Sequence, residues 1–107
     1  MIRIGKLKLK NPVMVASGTF GYGIEYQDLV DLDKLGAIVT KTITLKPRDG
    51  NSQPRVFELP YGMINSIGLQ NVGLKKFIDE KFPEFKKNTK TPIIVSIGGK
   101  IKEEFVK

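Results

Sequence analysis

A lysine stands in the middle of Val39-Thr40-Lys41-Thr42-Ile43-Thr44, a β-branched run preceded by Gly36-Ala37-Ile38 and followed by Pro47. Length and composition predict a buried strand. On a two-residue period Lys41 shares a face with Val39 and Ile43. An ammonium on an apolar face is costly unless it meets an anion or a polar cavity. The alternative is an edge strand whose lysine reaches water and discourages aggregation. Two further stretches are dense in polar groups. Ser17-Gly18-Thr19-Phe20-Gly21-Tyr22-Gly23 sets three glycines and two hydroxyls directly after the apolar run Val13-Met14-Val15-Ala16. Such a backbone can approach a ligand closely, although its G-x-x-G-x-G spacing is not the dinucleotide fingerprint. Gly62-Met63-Ile64-Asn65-Ser66-Ile67-Gly68-Leu69-Gln70-Asn71 interleaves amides and glycines with single apolar residues and matches neither strand nor helix. Its amides suit a planar ligand bearing amide, imide or carboxylate groups. The competing reading makes the asparagines turn formers and Asn71 a helix N-cap.

The elements that would position these groups follow from the rest of the pattern. Ile2–Ile4 and Leu7–Leu9 form a short hairpin turning at Gly5-Lys6. Val13–Ala16 reads as a strand buried on both faces. Glu25–Leu35 reads as a helix with Leu29 and Leu32 on one face, joined by Tyr26 and Leu35, and Gly36 at its C′ position. Lys46–Asn71 is long for a connection and therefore functional or locally structured, with Pro54–Leu59 as one arm of an excursion hairpin. Leu74, Phe77, Ile78 and Phe85 recur at helical spacing, and Pro83 marks a break; Phe77, Phe82 and Phe85 read as core. Pro92–Ile97 is a third buried strand, closed by Gly98-Gly99, and Ile101–Lys107 begins another amphipathic helix. Strands alternating with helices imply right-handed parallel units. The three unusual stretches then fall on one edge, at the carboxyl ends of the strands, where α/β proteins bind ligands.

Composition narrows the chemistry. The chain has 107 residues, 40% hydrophobic and 27% charged, with no cysteine and no histidine. Disulfides, thiolate nucleophiles and cysteine-based metal sites are excluded. General acid–base work would fall to Lys, Tyr, a carboxylate or a hydroxyl. The net charge of +7 is compatible with a polyanion or an anionic small molecule. The lysines are scattered, however, and read as a solvated surface without an aromatic-interleaved basic stripe. No signal peptide and no apolar run of membrane-spanning length is visible, so a cytoplasmic, membrane-free protein is expected.

The stretches ASGTFGYG, VTKTIT, PRDGNSQPRV and NSIGLQN, followed by PIIVSIGG, together resemble the class 1 dihydroorotate dehydrogenases over the whole chain. The GLQN form is most similar to the NAD-linked class 1B branch. The resemblance implies an α/β fold, the first three βα units of an FMN-binding (β/α)8 barrel preceded by a short β-hairpin. It implies oxidation of dihydroorotate to orotate in pyrimidine synthesis. It also implies a partner subunit carrying FAD and a 2Fe-2S cluster that passes electrons to NAD. Ala16, Ser17 and Gly18 match the first FMN loop, and Lys41 and Thr42 match the lysine and its neighbour at the flavin, the lysine also within reach of substrate. Asn65, Ser66, Ile67, Gly68 and Leu69 match the orotate-binding segment. Ser96 falls where many relatives place an asparagine near the flavin. A cation beside the flavin N1–C2=O edge would stabilise the anionic reduced flavin or meet the orotate carboxylate.

The family's catalytic base is a cysteine on a later barrel loop, and this chain has none. A complete barrel needs about 250 residues. The chain is therefore expected to be an N-terminal portion, whether a fragment, a split gene product or one chain of something larger, inactive alone and prone to self-association through exposed strand edges. The alternatives are another FMN barrel dehydrogenase, of class 1A or dihydropyrimidine dehydrogenase type, or a small basic polyanion-binding module.

Overall fold

The computed structural model describes residues 1–106. Strands β1 (Ile2–Ile4) and β2 (Leu7–Leu9) pair antiparallel, Ile2 opposite Leu9, around a turn in which Gly5 takes φ +59°. The expected hairpin is present. β3 (Met14–Val15) is shorter than the apolar run that contains it, and β4 (Ala37–Val39) follows it in space as its parallel neighbour.

The connection from β3 to β4 corrects one expectation. Glu25–Leu35 is not a helix: two single 3-10 turns, Ile24–Tyr26 and Leu32–Lys34, take its place. Asp31 provides the reason. It sits in extended conformation at the start of the second turn, and its carboxylate accepts from the Asp33 N–H at 3.1 Å. An aspartate that satisfies local N–H groups in this way competes with a continuous helix. Leu29, assigned to the inner face, is 81% exposed, whereas Ile24, Leu32 and Leu35 are buried. Gly36 is not a left-handed helix cap. A Cβ there would lie 2.2 Å from the Asn11 carbonyl oxygen, so only glycine lets the two backbones meet.

Regular pairing in β4 stops at Val39, short of the Val39–Thr44 strand expected. Beyond it Ile43 bridges Ile97 in parallel. The long connection then throws out a hairpin, β5 (Val56–Leu59) against β6 (Gly62–Asn65), with Val56 opposite Asn65 and Leu59 opposite Gly62. Here the structure departs from the sequence reading again: the first half of Gly62–Asn71 is a strand. Its partner supplies hydrogen bonds that its own mixed composition does not announce. Every residue of this hairpin is exposed.

α1 (Gly73–Lys76) runs through a π turn, Phe77–Lys81, into α2 (Phe82–Asn88), with Pro83 in the first turn of α2. Proline has no N–H to donate. The break that Pro83 implies takes the form of a widened turn, and the chain remains helical. Ile78, assigned to the helical core face, is 53% exposed, and Phe82 is 36% exposed rather than core. β7 (Ile93–Ile94) completes a parallel three-stranded sheet of order β3-β4-β7, with Ile38 opposite Ile93. A 3-10 turn at Lys102–Phe105 stands where a helix over Ile101–Lys107 was expected; Lys107 lies outside the described residues.

Two apolar clusters hold the helical layer to the sheet. One joins Phe20, Ile24, Leu32, Leu35, Ile38 and Phe85, and the other joins Tyr22, Ile43 and Phe77. Polar contacts close the edge. The Asp33 carboxylate accepts from the Thr89 hydroxyl and, at 3.1 Å, from the Lys90 N–H, while Thr91 Oγ1 donates to the Leu32 carbonyl at 2.7 Å. The Thr89 hydroxyl, more than the Lys90 N–H, holds the Asp33 carboxyl below the usual range.

Phe85 is wholly buried between the 3-10 turns and the sheet. Phe85→Ala should destabilise the fold by about 3–5 kcal/mol, comparable with the ~5–15 kcal/mol that holds a typical domain together. The urea midpoint, measured by far-ultraviolet circular dichroism, should collapse accordingly.

Candidate functional site

The carboxyl ends of β3, β4 and β7 lie side by side, and each is followed by a hydroxyl residue. Ser17 Oγ and Thr42 Oγ1 are 3.3 Å apart, and Thr42 Oγ1 and Ser96 Oγ are 2.9 Å apart. The three hydroxyls form a continuous seam across the sheet edge. It is anchored beneath by the fully buried Thr40, whose Oγ1 accepts from the Ser96 N–H at 3.0 Å. Register produces the seam: parallel strands in step bring residues just past their ends to the same height.

Lys41 lies between the glycine loop and the hairpin. Its backbone N–H donates to the Gly21 carbonyl at 2.8 Å, so the loop after β3 is tied to the segment beyond β4 that carries the lysine. The side chain is half-buried and forms no ion pair among the described residues. It borders a cleft of about 710 Å³, whose other walls include Ser17, Gly18, Thr42, Met63 and Asn65 through Gln70. Val56, Met63 and Asn65 alternate along the hairpin and turn one of its faces to this cleft. A second cavity, of about 750 Å³, lies on the other side of Lys41 and Gln70 and is bordered by Arg48, Lys75 and Asp79.

Several hydrogen bonds fix the segment that follows the hairpin. Asn51 donates from its backbone to the Ile67 carbonyl at 2.9 Å and from Nδ2 to the Ser66 carbonyl at 2.7 Å. The Arg55 guanidinium donates to the Asp49 and Asn51 carbonyls and, at 2.5 Å, to Gln70 Oε1. A Cβ on Gly50 would lie 2.3 Å from the Ile67 carbonyl oxygen, so glycine is required there. Leu69 takes φ +58°, a conformation that non-glycine residues rarely adopt.

The cleft brings together Ser17, Gly18, Lys41, Thr42, Asn65, Ser66, Ile67, Gly68 and Leu69, nine of the eleven residues singled out by sequence. Ala16 stands behind it, its carbonyl accepting from Thr19 N–H at 3.3 Å and Thr19 Oγ1 at 2.6 Å. Ser96 reaches the site only through Thr42. Thr19, Met63 and Gln70, which lie within the two polar stretches but were not assigned individual contacts, also line the cleft, as does Val56, which lay outside them. The signal for Val56 and Met63 is their alternation with Asn65, which becomes legible only once the hairpin register is known. Asn71 is buried and is not among the walls of the cleft; Val72, not Asn71, is the N-cap residue of α1, and the Asn71 Oδ1 instead accepts from the Thr44 and Gly73 N–H groups.

Hydroxyls, two side-chain amides, one ammonium and exposed loop backbone make a donor set for a planar, polar and anionic ligand. No group of three or more His, Cys, Asp or Glu side chains able to hold a metal occurs among the described residues. No helix among them is long and apolar enough to cross a membrane. Of the lysines among them, only Lys41 and Lys81 are half-buried and the others are exposed, in keeping with a solvated basic surface.

The family model described as dihydroorotate dehydrogenase matches residues 1–107. The chain belongs to the dihydroorotate dehydrogenase family. Among curated members, proteins of Geotalea daltonii, Thermodesulfovibrio yellowstonii and Pelobacter propionicus are 54%, 55% and 56% identical to it over 97%, 98% and 97% of its length. Each of the three is named as the catalytic subunit of dihydroorotate dehydrogenase B (NAD(+)). The chain spans 34% of the length of these relatives. Its three-stranded parallel sheet with helical cover is the mixed α/β arrangement expected for the amino-terminal part of a member of this family.

Tyr22 ties the glycine loop of this family member to α1, its hydroxyl accepting from the Val72 N–H at 3.0 Å. Burial pushes its pKa up, with a smaller push from Glu25, against a pull downward from the Val72 hydrogen bond. The raised value means that the folded state prefers the neutral phenol. The stabilisation is present below the ordinary value of about 10 and is lost as pH rises through the folded value. The urea midpoint should therefore fall on the alkaline side of pH ~10. Tyr22→Phe should flatten that limb at a cost near neutrality of about 1 kcal/mol.

Proposed function

We propose that this chain supplies the first flavin loop, the active-site lysine and the substrate segment of an FMN-dependent dihydroorotate dehydrogenase of the NAD-linked B type. The observation that carries the proposal is the single cleft that joins Lys41 and Thr42 to Asn65 through Leu69. Family membership and the names of the relatives support the substrate and the pathway, oxidation of dihydroorotate to orotate in pyrimidine synthesis.

The residues present fit FMN on one side of this cleft. The hydroxyl seam offers donors and acceptors at the strand ends. Gly18, at φ +83°, has no atom within 4 Å of where a Cβ would stand, so the loop backbone is open to a ligand. Ser17, Gly18, Thr42 and Ser96, with Ala16 shaping the loop, would hold the cofactor. When bound, FMN supplies the hydride acceptor. The work of the chain is to bind and to polarise. Lys41 places a positive charge where negative charge develops on the flavin or is carried by the orotate carboxylate, and in a half-buried site that attraction exceeds its value in water. The Asn65 side-chain amide and the backbone of Ser66 through Leu69 orient the ring. Among the described residues lining the cleft there is no cysteine, histidine or carboxylate; the family resemblance assigns proton abstraction to a cysteine on a later barrel loop.

In this reading the parallel strands are the first three of a (β/α)8 barrel. The word "catalytic" in the relatives' names accords with a companion subunit bearing FAD and a 2Fe-2S cluster, which passes electrons to NAD. The unpaired edges and exposed apolar residues accord with self-association.

Residues 1–107 exchanged into the Geotalea daltonii relative provide the test. The chimera should purify with flavin absorbance and oxidise dihydroorotate. Lys41→Ala in it should lower turnover by a factor of about 100 or more, the scale for loss of a charge-stabilising group, while retaining the fold. A flavin-free chimera, or near-normal turnover with Lys41→Ala, overturns the assignment.

A further inference from the structure

Asn71 does not touch the cleft, yet its side chain is the most heavily bonded amide near it. It is 6% exposed. Its Nδ2 donates to the Leu69 carbonyl at 2.8 Å and to Thr44 Oγ1 at 3.0 Å. Its Oδ1 accepts from the Thr44 N–H at 3.1 Å and from the Gly73 N–H at 2.9 Å. Its backbone exchanges two hydrogen bonds of 3.0 Å with Arg48. One side chain thus joins the segment beyond β4 that carries Lys41, the end of the Asn65–Leu69 segment and the start of α1.

The residue it holds is strained. Leu69 is the one non-glycine residue at positive φ among the described residues, and it lines the cleft at 46% exposure. A left-handed leucine persists only where its surroundings over-determine it. The Nδ2 bond to its carbonyl is such a restraint, and the same NH2 group bonds Thr44, three residues beyond Lys41. We infer that Asn71 is a positioning residue: its amide locks Leu69 in the left-handed conformation and thereby sets the substrate segment against Lys41 across the cleft. The inference rests on the proposed function for the identity of the ligand, but not for the restraint itself.

The chemistry demands asparagine. Two N–H groups must be accepted by one atom while two acceptors are met by another, in a buried site. Aspartate keeps the first half and loses the second. Asn71→Asp should therefore retain the bonds from Thr44 and Gly73 and release Leu69. In the full chain at pH 8, amide hydrogen exchange across residues 65–70 should accelerate about tenfold, the order expected for one lost buried hydrogen bond. The Ile38 and Thr40 amides in the sheet should keep their protection. Orotate, titrated by isothermal calorimetry, should bind about tenfold more weakly to the variant.

Unchanged exchange over 65–70, or equal loss of protection in the sheet, overturns the inference. If the wild-type chain binds no orotate while Asn71→Asp still loosens 65–70 selectively, the positioning role stands and the substrate reading falls. If the variant loosens 65–70 and binds orotate as tightly as wild type, the restraint does not serve the ligand and the inference falls. Should the variant not fold, the wild-type chain supplies a second measurement. The Asn71 Nδ2 protons should exchange with water far more slowly than those of the exposed Asn65 and Asn88, and rapid exchange overturns the inference.

Discussion

The central strand β4 is paired on both sides, in parallel and in register, and the rest of the molecule depends on that pairing. Ile38 N–H donates to Pro92, Thr40 N–H to Ile94 and Ile43 N–H to Ser96, each at 2.9 Å, and Gly36 N–H donates to Val13 at 2.8 Å. A parallel ladder fixes direction as well as spacing. It places the ends of three strands together and leaves their following residues to build a common rim. The buried face of the same strand, with Ile38 at its centre, is what Phe85 and the 3-10 turns pack on. One set of hydrogen bonds therefore locates both the core and the cleft.

Polar side chains complete what the backbone ladder begins. Thr40 points into the structure and bonds Ser96, whereas Thr42 joins Ser17 and Ser96 at the surface. Thr44 meets Asn71. These alternate threonines form a polar stripe on the segment that continues β4, each oxygen partnered, and no buried side-chain polar atom among the described residues lacks a partner. A satisfied stripe of this kind is rigid. It gives Lys41, between Thr40 and Thr42 in the sequence, a fixed platform between two cavities.

Legibility from sequence varied with the range of the interaction responsible. The amino-terminal hairpin, the presence of three buried parallel strands and the helical spacing from Leu74 to Phe85 were readable from local alternation, periodicity or turn residues, although the second strand pairs over Ala37–Val39 where Val39–Thr44 was expected and the third over Ile93–Ile94 alone. The helix expected at Glu25–Leu35 was not realised: its leucine spacing is helical, but Asp31 takes a local hydrogen bond and Gly36 must meet Asn11. The strand at Gly62–Asn65 was not readable either, since only its pairing with Val56–Leu59 makes it one. In the cleft, residue types pointed to Lys41 and to the polar stretches that hold Thr19, Asn65 and Gln70, while the apolar walls Val56 and Met63 emerged only when the hairpin folded over the strand ends.

Sequence by itself determined which chemistry this chain can offer: hydroxyls, amides, one ammonium on a β-branched strand, and neither thiol nor imidazole. It also determined where the chain must turn, since glycine and proline act through their own backbones. Tertiary structure alone decided that Ser17, Thr42 and Ser96 touch, although 25 and 54 residues separate successive members. It likewise decided that the Asn71 amide bonds Leu69 and Thr44 and is not a wall of the cleft. The physical reason is that strand register and the burial of a polar amide are settled by partners distant in sequence. Lys41, ambiguous as a strand residue, owes its place beside a polar cleft to those partners.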